Sequence, residues 1–222
     1  GEAIRTEVIK DVDAILTNLA ELSNQITESY EMVNEAGIED LMKGIQSTFA
    51  IAKAKMMLDK YGKLLMAADP TNQKNQVTIG TAKIEAAIDK IQASIEGKGI
   101  APEVKEKAYK KKAELEQQIA GATEKAAMEV EKAKNALSEF ETKLGDVEKP
   151  INGDSPLAKE YFASKARLKN AVREESMKVA ADLAAKQGNE KAAKQLEQEL
   201  KDMQAKQKEL EDKIKNQQEL GK

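Results

Sequence analysis

Carboxylates and amines are the only abundant reactive groups in this chain, with 39 Asp and Glu and 36 Lys and Arg among 222 residues and no His, Cys or Trp. Paired carboxylates could serve acid–base hydrolysis, and clustered ones an oxygen-ligand cation site. The absence of His and Cys removes Ser-His-Asp and Cys-His nucleophiles, His-based zinc or haem sites and thiol redox pairs. The carboxylates that remain alternate with Lys and Arg in the manner of i, i+4 pairs, the arrangement of a solvated helix surface. No GxGxxG, Walker, HExxH or EF-hand pattern is present. Asn152-Gly153-Asp154 lacks the alternating carboxylates and closing Glu of a calcium loop and reads as turn chemistry. Lys110, Lys111 and Lys112 stand without interleaved aromatics, so they read as ordinary helix surface and not as a nucleic-acid site. The expectation is a non-enzymatic protein with no catalytic, cofactor-binding or metal-binding residues and no nucleic-acid partner.

The elements carrying these charges are long helices. Composition is 41% hydrophobic, 34% charged and only 3% aromatic, which suits an all-α bundle with a thin seam of Ile, Leu, Val, Met and Ala and does not suit a sandwich or doubly wound sheet. The organising stretch is Ser155–Leu220. Ser155 can cap, Pro156 can take the first helical position, and Ala193, Leu196, Leu200, Met203, Gln207, Leu210, Ile214 and Gln217 recur at three-four spacing. Unbroken, the segment would reach about 98 Å at 1.5 Å per residue, so an elongated molecule is expected. Gln187-Gly188-Asn189 is its weak point, a bend or a short hairpin.

Before it, a first helix over residues 4–35 carries Val8, Val12, Ile15, Leu19, Leu22, Ile26 and Val33 on one stripe. Gly1–Asp40 holds ten acids against Arg5 and Lys10, a net charge of −8, so basic neighbours are expected from Lys98–Lys112 or Lys165–Lys178. Gly37 ends or kinks that helix. A second helix follows from Ile38, with a stripe of Ile38, Met42, Ile45, Phe49, Ala52 and Met56 that broadens through Met57, Leu58, Tyr61, Leu64, Leu65 and Met66 into an expected packing centre. Asp69-Pro70 stops it. The polar run TNQKNQVTIG, Thr71–Gly80, is expected to be irregular, with Val77–Ile79 the best candidate for extended structure. Thr81 would cap a third helix bearing Ile84, Ile88, Ile91 and Ile95 and ending at Gly97 and Gly99.

Pro102 opens a fourth helix to Leu144, with Leu115, Ile119, Ala122, Ala126, Ala133, Leu137, Phe140 and Leu144 as its seam and Gly145 as C-cap. The turn-rich link to Ser155 lets the fourth and fifth helices pack antiparallel. The domain reading is an elongated antiparallel bundle of coiled-coil-like helices from 1–37 and 100–222, with a smaller helical appendage, 38–99, inserted between them. The end of the fifth helix, beyond about residue 198, would pack on the first or second helix or on a second copy.

No run of 18 apolar residues exists, so no stable membrane insertion is expected. The chain starts at Gly1, which fits a removed signal peptide or a tag remnant, and zero cysteine fits an exported or a cytosolic protein alike. Exposed loops held by rigid helices often carry recognition, which makes Met56, Met57, Leu65, Met66, Asn72, Gln73, Lys74, Asn75, Gln76 and Val77 the candidate partner-binding residues.

The acidic first helix with LTNLAELSNQITESYEMVNEAGIEDL, the central insert, and the Gln/Ala/Glu-rich end AAKQGNEKAAKQLEQELKDMQAKQKELEDKI together resemble the minor pilus subunits of bacterial type IV secretion and conjugation systems. The resemblance implies a periplasmic or cell-surface protein at a pilus tip that aids assembly or contact with another cell, with secretion-apparatus subunits or a surface receptor as partners. The length of the fourth helix departs from that pattern and leaves the bundle's helix count open. Two other classes fit the composition. A pore-forming helical toxin or secretion-tip protein would need an apolar hairpin, and Phe49–Met66 is interrupted by Lys53, Lys55, Asp59, Lys60 and Lys63. An intracellular coiled-coil scaffold has no residue against it.

Overall fold

The computed structural model describes residues 13–22 and 35–220, and all regular structure among them is helical. Six helices follow in order among these residues: α1 (13–22), α2 (Glu35–Ala68), α3 (Pro70–Glu96), α4 (Pro102–Glu148), α5 (Pro156–Lys186) and α6 (Glu190–Leu220). They pack against one another as a helical bundle. The chain forms two compact units, Gly1–Leu64 with Ala136–Asn170, and Leu65–Asn135 with Ala171–Lys222. The expected appendage 38–99 is thus apportioned to both, 38–64 to the first and 65–99 to the second.

Helix boundaries follow local chemistry. Asp69 alone separates α2 from α3. Its carboxylate accepts from the Thr71 N–H at 2.9 Å and Pro70 takes the first helical position, so one residue ends a helix and caps the next. Gly97 closes α3, and Gly99 at φ 81° turns the chain toward Pro102. The Ser155 hydroxyl accepts from the Ala158 N–H at 3.2 Å while donating to the Asn152 carbonyl at 3.0 Å. At the weak point α5 ends outright. Gly188 sits at φ 75°, the Asn189 N–H reaches the Ala184 carbonyl at 3.0 Å and the Gly188 N–H the Ala185 carbonyl at 3.1 Å, the paired bonds of a Schellman cap. Asn189 then caps α6, its side-chain oxygen accepting from the Ala192 N–H at 3.1 Å.

In the first unit α2, α4 and α5 run up, down and up. The Asn152 N–H donates to the Ser47 hydroxyl at 2.9 Å at one end, and Tyr61 stacks on Phe140 at the other, so α2 and α4 run in opposite directions. Leu168 of α5 comes so close to Gly62 that a Cβ there would meet its Cδ1 at 3.2 Å. This fixes α5 alongside α2 and antiparallel to α4, as the short link requires. The core is Ala50, Ile51, Ala54, Tyr61, Phe140, Leu144, Ala158 and Tyr161. In the second unit the buried residues are smaller and more polar: Ala68, Asn75, Thr81, Ile95, Val130, Ser176, Ala181 and Ala193.

Four expectations are corrected. Thr71–Gly80 is regular helix within α3. The Asn72 and Gln73 amides donate to the Met66 and Ala67 carbonyls at 3.1 and 3.3 Å, satisfying the end of α2, and Thr78 bonds back to the Lys74 carbonyl. Polar side chains here complete helix termini and do not break the helix. Thr81 is no cap: it is buried in mid-helix with its hydroxyl on the Val77 carbonyl at 2.7 Å. Gly145 lies inside α4, which continues to Glu148. Gly37 lies within α2, whose first residue is Glu35. Of the first-helix stripe, Ile15, Leu19 and Leu22 fall on α1 and are part-buried, and Val8, Val12, Ile26 and Val33 lie outside the described residues. The α4 seam holds throughout, with Val130 joining it. The α6 seam is covered from Ala193 to Gln207, Leu210 is exposed, and the side chains of Ile214 and Gln217 lie outside those described.

Candidate interaction surface

Helix α2 has two apolar faces. At about 100° per residue, Ser47, Ala50, Ile51, Ala54 and Tyr61 share the side that is buried in the first unit. Ile38, Met42, Ile45, Phe49, Ala52 and Met56 fall on the opposite side. That second stripe, expected to broaden into a packing centre, is itself largely open: Ile38 is 51% exposed, Met42 56%, Phe49 47% and Met56 46%. Small residues explain which face won. Ala50, Ala54 and Ser47 let neighbouring backbones approach closely, and the larger side chains are left outside. Helix α1 covers the stripe in part, with Ile15, Leu19 and Leu22 lining a shallow hollow with Thr48, Phe49 and Ala52, and Leu16 of α1 is itself exposed.

Behind this surface the first unit is held by a cluster of charged and aromatic groups. Lys165 Nζ donates to both carboxylate oxygens of Glu148, at 2.6 and 3.1 Å, with the Glu148 side chain only 11% exposed. The Tyr61 hydroxyl donates to Glu141 Oε1 at 3.2 Å. Its ring lies 6.1 Å from that of Phe140, with the Lys165 and Lys169 ammonium groups each 5.9 Å from its centroid. Burial first, then the Glu141 carboxylate, pushes the Tyr61 hydroxyl up to about 12. Burial and Glu148 raise Tyr161 as well, and its buried hydroxyl has no hydrogen-bond partner among the described residues. Among the described residues no three acidic side chains converge on a metal position.

The sequence-derived partner residues divide by unit and by role. Met56 is exposed and Met57 part-buried in the first unit. In the second unit Leu65, Met66 and Val77 are part-buried, Lys74 and Gln76 exposed. Asn72 and Gln73 are committed to the α2 carbonyls, and Asn75 is buried with its amide on the Ser176 carbonyl at 2.9 Å. Three of the ten are therefore free to meet a partner, and the polar ones mostly hold helices together. The open stripe from Ile38 to Met56 was visible as a three-four repeat. The spacing does not distinguish it from the Ser47, Ala50 and Ala54 face opposite, and packing made the choice.

No protein family, curated protein or solved structure was found to match this chain. Among the described residues no helix is long and apolar enough to cross a membrane.

Proposed function

We propose that this is a non-enzymatic interaction protein acting through the uncovered apolar surface of α1 and α2, in the role of a minor pilus subunit of a bacterial type IV secretion or conjugation apparatus. The observation that carries the interaction reading is the doubly apolar α2: five of the exposed large hydrophobic residues, Leu16, Ile38, Met42, Phe49 and Met56, fall on α1 and the first two thirds of α2. Single exposed apolar side chains are ordinary, whereas a run of them on one face marks a contact surface. The pilus assignment rests on the resemblance of the acidic start, central insert and Gln-rich end to such subunits. Partners would be other subunits of the apparatus or a receptor on the contacted cell, and the place of action the periplasm or cell surface.

In a strain that encodes the chain, deleting the gene is expected to abolish conjugative transfer or cell contact. The native gene should restore it, and a Met42→Lys, Phe49→Asp variant with native circular dichroism should not. Undiminished transfer in the deletion strain overturns the pilus role. Full restoration by the folded double variant overturns the surface.

A further inference from the structure

We infer that the open face of α2 is covered by a second copy of this chain, α2 against α2 in opposite directions, about a two-fold axis at Gln46. The inference rests on the interaction reading and names its partner. Ile38, Met42, Ile45, Phe49, Ala52 and Met56 alternate in steps of four and three, the spacing of a coiled-coil seam, over about 27 Å of helix. Beside the seam, at exact seven-residue intervals, stand Glu39, Gln46 and Lys53, all exposed. Neither Glu39 nor Lys53 makes an ion pair among the described residues, in contrast to Asp59 and Lys63 further along α2, which pair at 3.0 Å.

Charge then selects both partner and direction. In an antiparallel pair, flanking positions of one kind meet their own kind across the seam. With the axis at Gln46, Glu39 of each copy lies beside Lys53 of the other, so one two-fold operation makes two opposite-charge contacts and sets Gln46 against Gln46. The seam layers centre one residue, about 1.5 Å, further along: Ile38 against Met56, Met42 against Ala52 and Ile45 against Phe49, so the exposed stripe covers itself. A parallel pair in register would bring Glu39 to Glu39 and Lys53 to Lys53, which is repulsive at both ends. Self-complementarity under a two-fold axis is what an isologous interface requires. Helix α1 meets the stripe at Phe49 and Ala52 as well as at Thr48 beside it, and leaves Ile38, Met42, Met56 and half of Phe49 open together with Glu39, Gln46 and Lys53.

Sedimentation velocity over a concentration series tests this. A monomer–dimer equilibrium is expected, abolished by Met42→Lys. Glu39→Lys and Lys53→Glu should each weaken it about tenfold, from two exposed contacts per dimer, and the double exchange should restore it. The chain has no cysteine, so engineered thiols report without background. Gln46→Cys should crosslink to itself on oxidation, and Glu39→Cys should crosslink only in a variant also carrying Lys53→Cys. A monomer at every concentration, a dimer indifferent to the charge exchange, or self-crosslinking of Glu39→Cys ahead of Gln46→Cys overturns the proposal. A strictly monomeric protein whose Met42→Lys variant still loses transfer would sink the dimer and leave the interaction reading standing. A dimer of this geometry in a strain whose transfer survives gene deletion would do the reverse.

Discussion

The two units of this chain solve the same packing problem with different residues. The first, Gly1–Leu64 with Ala136–Asn170, buries large rings and an ion pair: Tyr61, Phe140, Tyr161, Leu144 and the Glu148–Lys165 contact. The second, Leu65–Asn135 with Ala171–Lys222, buries Ala68, Ala181 and Ala193 with Asn75, Thr81 and Ser176, and only Ile95 and Val130 are larger apolar residues. With 3% aromatic residues in the whole chain, rings cannot fill both. The lesson is that a thin helical seam can be closed by side-chain volume or by backbone proximity. The second route depends on polar groups that satisfy neighbouring carbonyls.

That contrast can be broken most completely with alkali. Tyr61 and Tyr161 are held neutral by burial, so their stabilisation is present in full below the ordinary tyrosine value of 10.0 and is lost as pH rises through about 12 for Tyr61. Tyrosinate absorbance is expected to rise together with loss of helical circular dichroism. Titration of both buried tyrosines in an intact helical protein would contradict the assignment. Hydrogen exchange at high pH should open residues 136–170 before 171–186.

Tyr61→Ala is expected to cost roughly 4 kcal/mol, from the cavity under Phe140 and the freed Glu141, read as a fall in the urea midpoint. Lys165→Met should cost about 3 kcal/mol because it leaves Glu148 nearly buried and unpaired, and adding Glu148→Leu should recover most of the loss. A double variant as unstable as the single one would show that the pair acts through packing alone. In the second unit, Asn75→Ala should cost about 1 kcal/mol by removing the buried amide's bond to the Ser176 carbonyl, which α5 itself still engages. A change within measurement error there would mean that backbone proximity suffices without the amide. Smallest of all, Tyr161→Phe should be neutral or stabilising by up to about 1 kcal/mol, since it removes a buried hydroxyl that has no partner among the described residues. Clear destabilisation would show that the hydroxyl has a partner in solution.

Much of the helix order is legible in short range. Asp69-Pro70, Ser155-Pro156, Pro102 and Gln187-Gly188-Asn189 each act through a cap, a fixed φ or a missing N–H, and each falls at a helix boundary. Thr71–Gly80 is polar yet helical because Asp69-Pro70 starts α3 as Ser155-Pro156 starts α5. Both are a capping residue followed by proline at the first helical position. What could not be read locally was the use of Asn75, whose acceptor at Ser176 is 101 residues away.

Caps, prolines and three-four spacing act within a few residues, and they suffice for an all-helical chain, the seam of α4 and most helix ends. Which of the two faces of α2 is buried depends on packing across the bundle. Both faces carry a helical repeat, and the choice was made by how closely Ala50, Ala54 and Gly62 let partners approach, a property of the helices packed against them and not of α2 alone.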